Sequence, residues 1–202
     1  MIKDKPVTRY SSFRCLGVEI DERMSWENHI NSICRKVGSG IGVIKRIKLF
    51  VPQETMLNLY DFLILPYFHY CSPLWDNCGS LLKEKLQKSQ NKAARIITGA
   101  NYDVKSTDLL HALTWKNISD RHRNIKAVLT FKTLNNYSAL TLKDEFTMRE
   151  TNLVNYNLRN ADVNYLSVPK ANTEYLKKSF GYNSAILWNS LPTEAKQTAS
   201  LI

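Results

Sequence analysis

Apolar residues recur at three- and four-residue intervals along much of this chain, and that helical period, more than strand-like alternation, sets the expected fold. Ile30, Ile33, Cys34, Val37, Ile41 and Ile44 fall on one helical face. Ser25 is placed to cap that helix, with Trp26 and Glu27 in a first turn that accepts negative charge. Within it, Gly38-Ser39-Gly40-Ile41-Gly42 interrupts good helix formers, which predicts a bend or a close neighbour. The spacing matches neither a dinucleotide-binding nor a P-loop glycine motif.

Pro52 suits the first turn of a second helix whose apolar positions are Met56, Leu57, Tyr60, Leu63 and Ile64, and Pro66 should kink or end it. The aromatic stretch Tyr67, Phe68, Tyr70 and Trp75 is expected in the core. A third helix, Leu81 to Thr98, ends at Gly99 as a glycine cap. Leu82, Leu86, Ala93 and Ile97 share one face; Lys85, Lys88, Lys92 and Arg95 form a basic stripe on another. Helices near Thr107 to Leu113 and Ser119 to Leu134 follow, the latter with Ile125, Val128, Leu129 and Leu134 as its apolar side.

At the two ends the pattern changes. Tyr10 to Ile20 alternates loosely around Leu16-Gly17-Val18, suiting a short hairpin with a glycine at its bend. Beyond Asn135 the chain is polar, with Asn152, Asn155, Asn157, Asn160, Asn164 and Asn172 among irregularly spaced apolar residues. Loops and extended segments are expected there, with a small hairpin around Tyr165 to Val168. Ser184 to Ser190 reads as a short helix burying Ile186, Leu187 and Trp188, and Pro192 begins another turn.

Composition adds a partner class. The 202 residues carry 28 Lys and Arg against 18 Asp and Glu, a formal charge of +10. Such a surplus favours polyanions, nucleic acid before membrane. Cys15, Cys34, Cys71 and Cys78 form no Cys-x-x-Cys pair, and His29, His69, His111 and His122 supply no zinc spacing, so free buried thiols in a reducing compartment are expected. The charged N-terminus is not a signal peptide, and Phe62 to Trp75 is too short to span a bilayer. No nucleophile motif and no Asp-Asp pair occurs in the chain. Asp21-Glu22 and Asp144-Glu145 are the adjacent acidic pairs, and both lie among opposite charges.

Five landmarks occur in order: Phe13-Arg14-Cys15-Leu16-Gly17-Val18; Ser25-Trp26 with His29-Ile30; Leu65-Pro66 through Tyr70-Cys71-Ser72-Pro73-Leu74-Trp75; Arg95-Ile96-Ile97-Thr98-Gly99; and Leu187-Trp188-Asn189-Ser190-Leu191-Pro192. From about Tyr10 to Pro192 the series resembles the C-terminal part of the reverse transcriptases of non-LTR, LINE-like retrotransposons of the jockey and CR1 type. The resemblance implies a mainly α fold: a helical, thumb-like bundle with a short N-terminal β-hairpin and an irregular C-terminal region of short strands and helices. It divides the chain into a palm-edge hairpin (1–24), a thumb-like helical region (25–99), a helical connector (100–135) and a mixed C-terminal region (136–202).

In that family the catalytic aspartates and their Mg2+ ions belong to a palm preceding the first landmark. The resemblance therefore implies a downstream fragment of an RNA-directed DNA polymerase, inactive alone, with no catalytic or metal-binding residue and no cofactor of its own. What it implies for these residues is positional. Trp26 to Phe50 and Leu81 to Thr98 correspond to thumb helices, so Arg35, Lys36, Lys45, Arg46 and Lys48 on the first, and Lys85, Lys88, Lys92 and Arg95 on the second, are the expected phosphate contacts. The expected partner is an RNA/DNA or DNA duplex bound without sequence preference, with no membrane, in an intracellular and plausibly nuclear setting. Two other readings stand beside this one: an inert remnant of a decayed element, and a helical module that docks on an acidic protein surface.

Overall fold

In the computed structural model, which describes residues 9–148 and 165–197, the chain opens with an antiparallel hairpin. Strands β1 (Ser12–Cys15) and β2 (Val18–Asp21) pair in the register Ser12 to Asp21 and Cys15 to Val18. The two residues between them, Leu16 and Gly17, both have positive φ, 46° and 85°. That is the backbone of a tight primed turn, whose twist matches the strands and which glycine admits at no steric cost.

Helices follow: α1 (Glu27–Ile47), α2 (Gln53–Leu63), α3 (Leu65–His69), α4 (Ser72–Trp75), α5 (Ser80–Thr98), α6 (Ser106–Ala112) and α7 (Ile118–Leu134), of which the short α3 and α4 fall in the aromatic stretch where no helix is predicted. The later part adds α8 (Leu140–Lys143), α9 (Glu174–Lys177), α10 (Phe180–Asn189) and α11 (Thr193–Gln197). The fold is mainly α with a short N-terminal hairpin, as the sequence pattern predicts. The chain forms two compact units, Met1–His122 and Arg123–Ile202.

In the first unit the predicted stripe of α1 is the core: Ile30, Ile33, Val37, Ile41 and Ile44 are buried, and Cys34 is half-buried. Facing them are Met56 and Tyr60 of α2, Ile64, Phe68, Trp75, and Leu86, Ala93 and Ile97 of α5. The α5 helix ends where expected, with Gly99 left-handed at φ 68°. Its buried Gln90 donates to the Lys116 carbonyl (3.1 Å) and accepts from Gln87 (2.9 Å), which satisfies an amide that burial would otherwise penalise. Tyr60 stacks on Trp115 with centroids 3.9 Å apart, and burial pushes its phenol up to about 12.

The glycine cluster of α1 admits a neighbour without breaking the helix. A Cβ on Gly40 would lie 2.9 Å from Ile64 Cγ1 and 3.4 Å from the Leu63 carbonyl, whereas one on Gly38 would meet nothing within 4 Å. Gly40→Val is therefore expected to destabilise the protein by about 1–3 kcal/mol through overpacking. Gly38→Ala should instead stabilise it by about 0.5–1 kcal/mol through helix propensity. Urea unfolding of the two variants checks this; equal midpoints would refute the close approach.

Several local expectations are corrected. Ser25 is not the cap of α1: Trp26 occupies that position with φ 66°, and the Ser25 hydroxyl donates to the Asp21 carboxylate at 3.2 Å and accepts from the Glu27 amide at 3.4 Å. The turn is organised instead by the Asp21 carboxylate, which accepts from the amides of Arg23, Ser25 and Trp26 at 3.0, 3.0 and 2.8 Å. Burial acts to raise the Asp21 pKa, but these bonds outweigh it and hold the group below its ordinary value. The aromatic stretch splits: Phe68 and Trp75 are fully buried, while Tyr67 and Tyr70 stay exposed. Of the four free thiols only Cys78 is buried; Cys34 and Cys71 are half-buried and Cys15 is exposed.

The largest departure is α7. Val128 is exposed, and Ile125, Leu129 and Leu134 are only half-buried, whereas His122, Lys126, Thr130, Phe131 and Thr133 are buried. The threonine hydroxyls turn back onto their own helix, Thr130 to the Lys126 carbonyl (2.8 Å) and Thr133 to that of Leu129 (2.9 Å). Self-satisfied in this way, they can be buried at positions that a count of apolar residues assigns to solvent.

In the second unit Phe131, Leu166, Ala185 and Trp188 form a small core. The helix α10 begins before the predicted Ser184, capped by the Ser179 hydroxyl, and leaves Ile186 exposed. Among the described residues, the pairing around Tyr165 to Val168 is the antiparallel bridge of Met148 with Leu166. Asn152, Asn155, Asn157, Asn160 and Asn164 lie outside the described residues.

Candidate nucleic-acid interface

The two basic helices, α1 and α5, pack directly on each other. A groove of about 360 Å³ runs between the C-terminal halves of α1 and α5. Lys45 and Lys48 line one wall, and Lys92 and Arg95 the other. Gly38, Gly42 and Gly99 also line it, beside Ile41, Ile96, Ala100 and Tyr102, so three of its lining positions carry no side chain. Lys45, Lys48 and Lys92 are exposed, and no carboxylate is among the lining residues. Four cations in one concavity give a focused positive field.

The other predicted contacts lie elsewhere. Lys85 donates to Asn31 at 2.6 Å, and Lys88 pairs with Glu84 at 2.7 Å on the surface of α5. Arg35 and Arg46 are exposed on α1 and do not line the groove. Lys36 lies 5.3 Å from the Tyr67 ring centroid, at a second cleft of about 420 Å³ with Arg14, His29 and Tyr70. Arg95 is partly committed to structure, since Nη1 and Nη2 both donate to the Val104 carbonyl at 3.2 Å. Its guanidinium lies 5.3 Å from the ring centroid of Tyr102. Periodicity did not single out Tyr102; an aromatic side chain just past a glycine cap was the available signal.

Of the landmarks, only Arg95 to Gly99 contributes to the groove, through Arg95, Ile96 and Gly99; the residues of the others that make side-chain bonds hold the fold together. The Tyr70 hydroxyl donates to the Leu16 carbonyl at 2.7 Å, which ties the hairpin turn to the segment between α3 and α4. Trp75 Nε1 donates to the Tyr70 carbonyl at 3.0 Å, and its ring meets His29 and His122 edge-on at 5.7 and 4.8 Å. Trp26 Nε1 donates to Asn77 at 3.0 Å. His29 accepts the Glu19 amide on Nδ1 at 3.3 Å, and burial, partly offset by the Glu19 carboxylate, keeps its pKa below the ordinary value. In the second unit the Asn189 side chain bonds both the amide and the carbonyl of Leu166, each at 2.9 Å.

The Mg2+ ions implied by the family resemblance need converging carboxylates. Among the described residues no group of three or more His, Cys, Asp or Glu side chains is placed to hold a metal ion. These residues therefore do not fit such ions. Nor is any helix among them long and apolar enough to cross a membrane.

No family model matches the chain, and no solved structure does. It is similar to a probable RNA-directed DNA polymerase from transposon X-element of Drosophila melanogaster, with 27% identity over 144 residues. The match covers 68% of this chain and 14% of that protein's length. Similarity and landmarks agree: this chain resembles part of a non-LTR retrotransposon RNA-directed DNA polymerase.

Proposed function

We propose that the chain is a thumb-like, duplex-holding part of a mobile-element RNA-directed DNA polymerase, and that it grips the sugar-phosphate backbone in the groove between α1 and α5. The observation that carries this reading is the convergence of Lys45, Lys48, Lys92 and Arg95, from helices far apart in sequence, on one groove lined by glycines. Lysine and arginine contacts to phosphates fix the position and register of a duplex without reading its bases. The groove thus holds template and primer and leaves sequence choice to base pairing. Polymerisation itself is not assigned to these residues, which include no adjacent aspartates.

Binding of this kind releases condensed counterions, so salt is the sharpest probe. With four phosphate contacts, affinity for a labelled duplex should fall roughly 150-fold between about 50 and about 200 mM salt. Fluorescence anisotropy with a B-form DNA duplex and with an RNA/DNA hybrid measures it. Absence of binding, or an affinity indifferent to salt, would refute the proposal.

A further inference from the structure

The groove between α1 and α5 is also lined by an aromatic ring, that of Tyr102, which duplex phosphates do not use. Tyr102 is 94% exposed, so its ring contributes almost nothing to the core. It is nevertheless supported. The Arg95 guanidinium lies 5.3 Å from the ring centroid, and that guanidinium is held by the carbonyls of Asn101 and Val104. The ring is thus backed by a cation fixed in place and otherwise open to solvent, and it lines the same groove as Lys92 and the glycines.

From this arrangement we infer that the groove takes an unpaired nucleotide adjoining the duplex, its base stacked on Tyr102 and its phosphate among Lys45, Lys48 and Lys92. Bases inside a duplex already stack on their neighbours on both faces. An unpaired base at a junction or overhang has a face to offer, and every base has one, so the site is tolerant of sequence. The fixed guanidinium behind the ring adds cation–π character to the platform. Gly42 and Gly99 permit close approach of the sugar-phosphate backbone, and about 360 Å³ is in the range of small-ligand sites.

The inference rests on the duplex-holding reading of the same groove, and two probes separate them: a labelled blunt duplex, and the same duplex with a single-stranded overhang. The overhang should bind more tightly. Tyr102→Ala should weaken the overhang complex by roughly 5- to 150-fold, the effect of one lost base stack, and leave the blunt complex unchanged. Tyr102→Trp should retain the preference. At so exposed a position the fold is kept, and circular dichroism checks it. Equal affinity for the two probes, or equal weakening of both by Tyr102→Ala, overturns the inference and leaves duplex holding in place. Binding of neither probe overturns both.

Discussion

Trp75→Ala is expected to remove about 3–5 kcal/mol of stability, a large share of what a domain of ordinary stability possesses. The indole is fully buried, meets two imidazoles edge-on and donates its only proton to the Tyr70 carbonyl. Truncation therefore removes apolar burial, leaves a cavity and strands a carbonyl in one step. Since Tyr70 also bonds Leu16, the hairpin turn should loosen together with α4. Trp75→Phe keeps most of the ring volume and loses the proton donor, so its smaller cost, about 1–3 kcal/mol, isolates the stranded carbonyl. Urea unfolding followed by circular dichroism measures both, and a loss below about 1 kcal/mol for alanine would contradict full burial.

Replacing Lys45, Lys48 and Lys92 together by alanine is expected to weaken duplex binding by up to about 500-fold at about 0.1 M salt and to reduce the salt slope by about 2.7. All three side chains are exposed, so folding is not at stake. The control is a second triple variant, Arg35, Lys85 and Lys88 to alanine, which removes the same formal charge from positions outside the groove. If net charge alone drew the nucleic acid, the two variants would behave alike. The groove reading requires the first to be much weaker than the second, and equal losses would sink it.

How far the sequence disclosed this arrangement differs from element to element. The buried face of α1 and the end of α5 at Gly99 were legible because helical period and left-handed glycine caps are local properties. On α7 the same rule failed, because a threonine whose hydroxyl bonds its own helix counts as polar in a sequence and as satisfied in a core. The turn that leads into α1 was misread for a related reason. Asp21 stands several residues upstream and acts through a turn that only the folded hairpin creates. The basic stripe of α5 was visible, but not its division into Lys85 and Lys88, which have side-chain partners, and Lys92 and Arg95, which line a groove. That division depends on which face of α1 lies opposite, and periodicity within one helix does not contain it.

The clasp between Asn189 and Leu166 makes the second unit sensitive to a single change of group. A primary amide presents a donor and an acceptor in one plane, as a peptide unit does, so Asn189 serves Leu166 as a neighbouring strand one residue long. Hydrolysis of that amide to a carboxylate would leave the outline of the side chain almost intact. It would also set an anionic oxygen against the Leu166 carbonyl, turning the clasp into a wedge beside Trp188 in the centre of this small core.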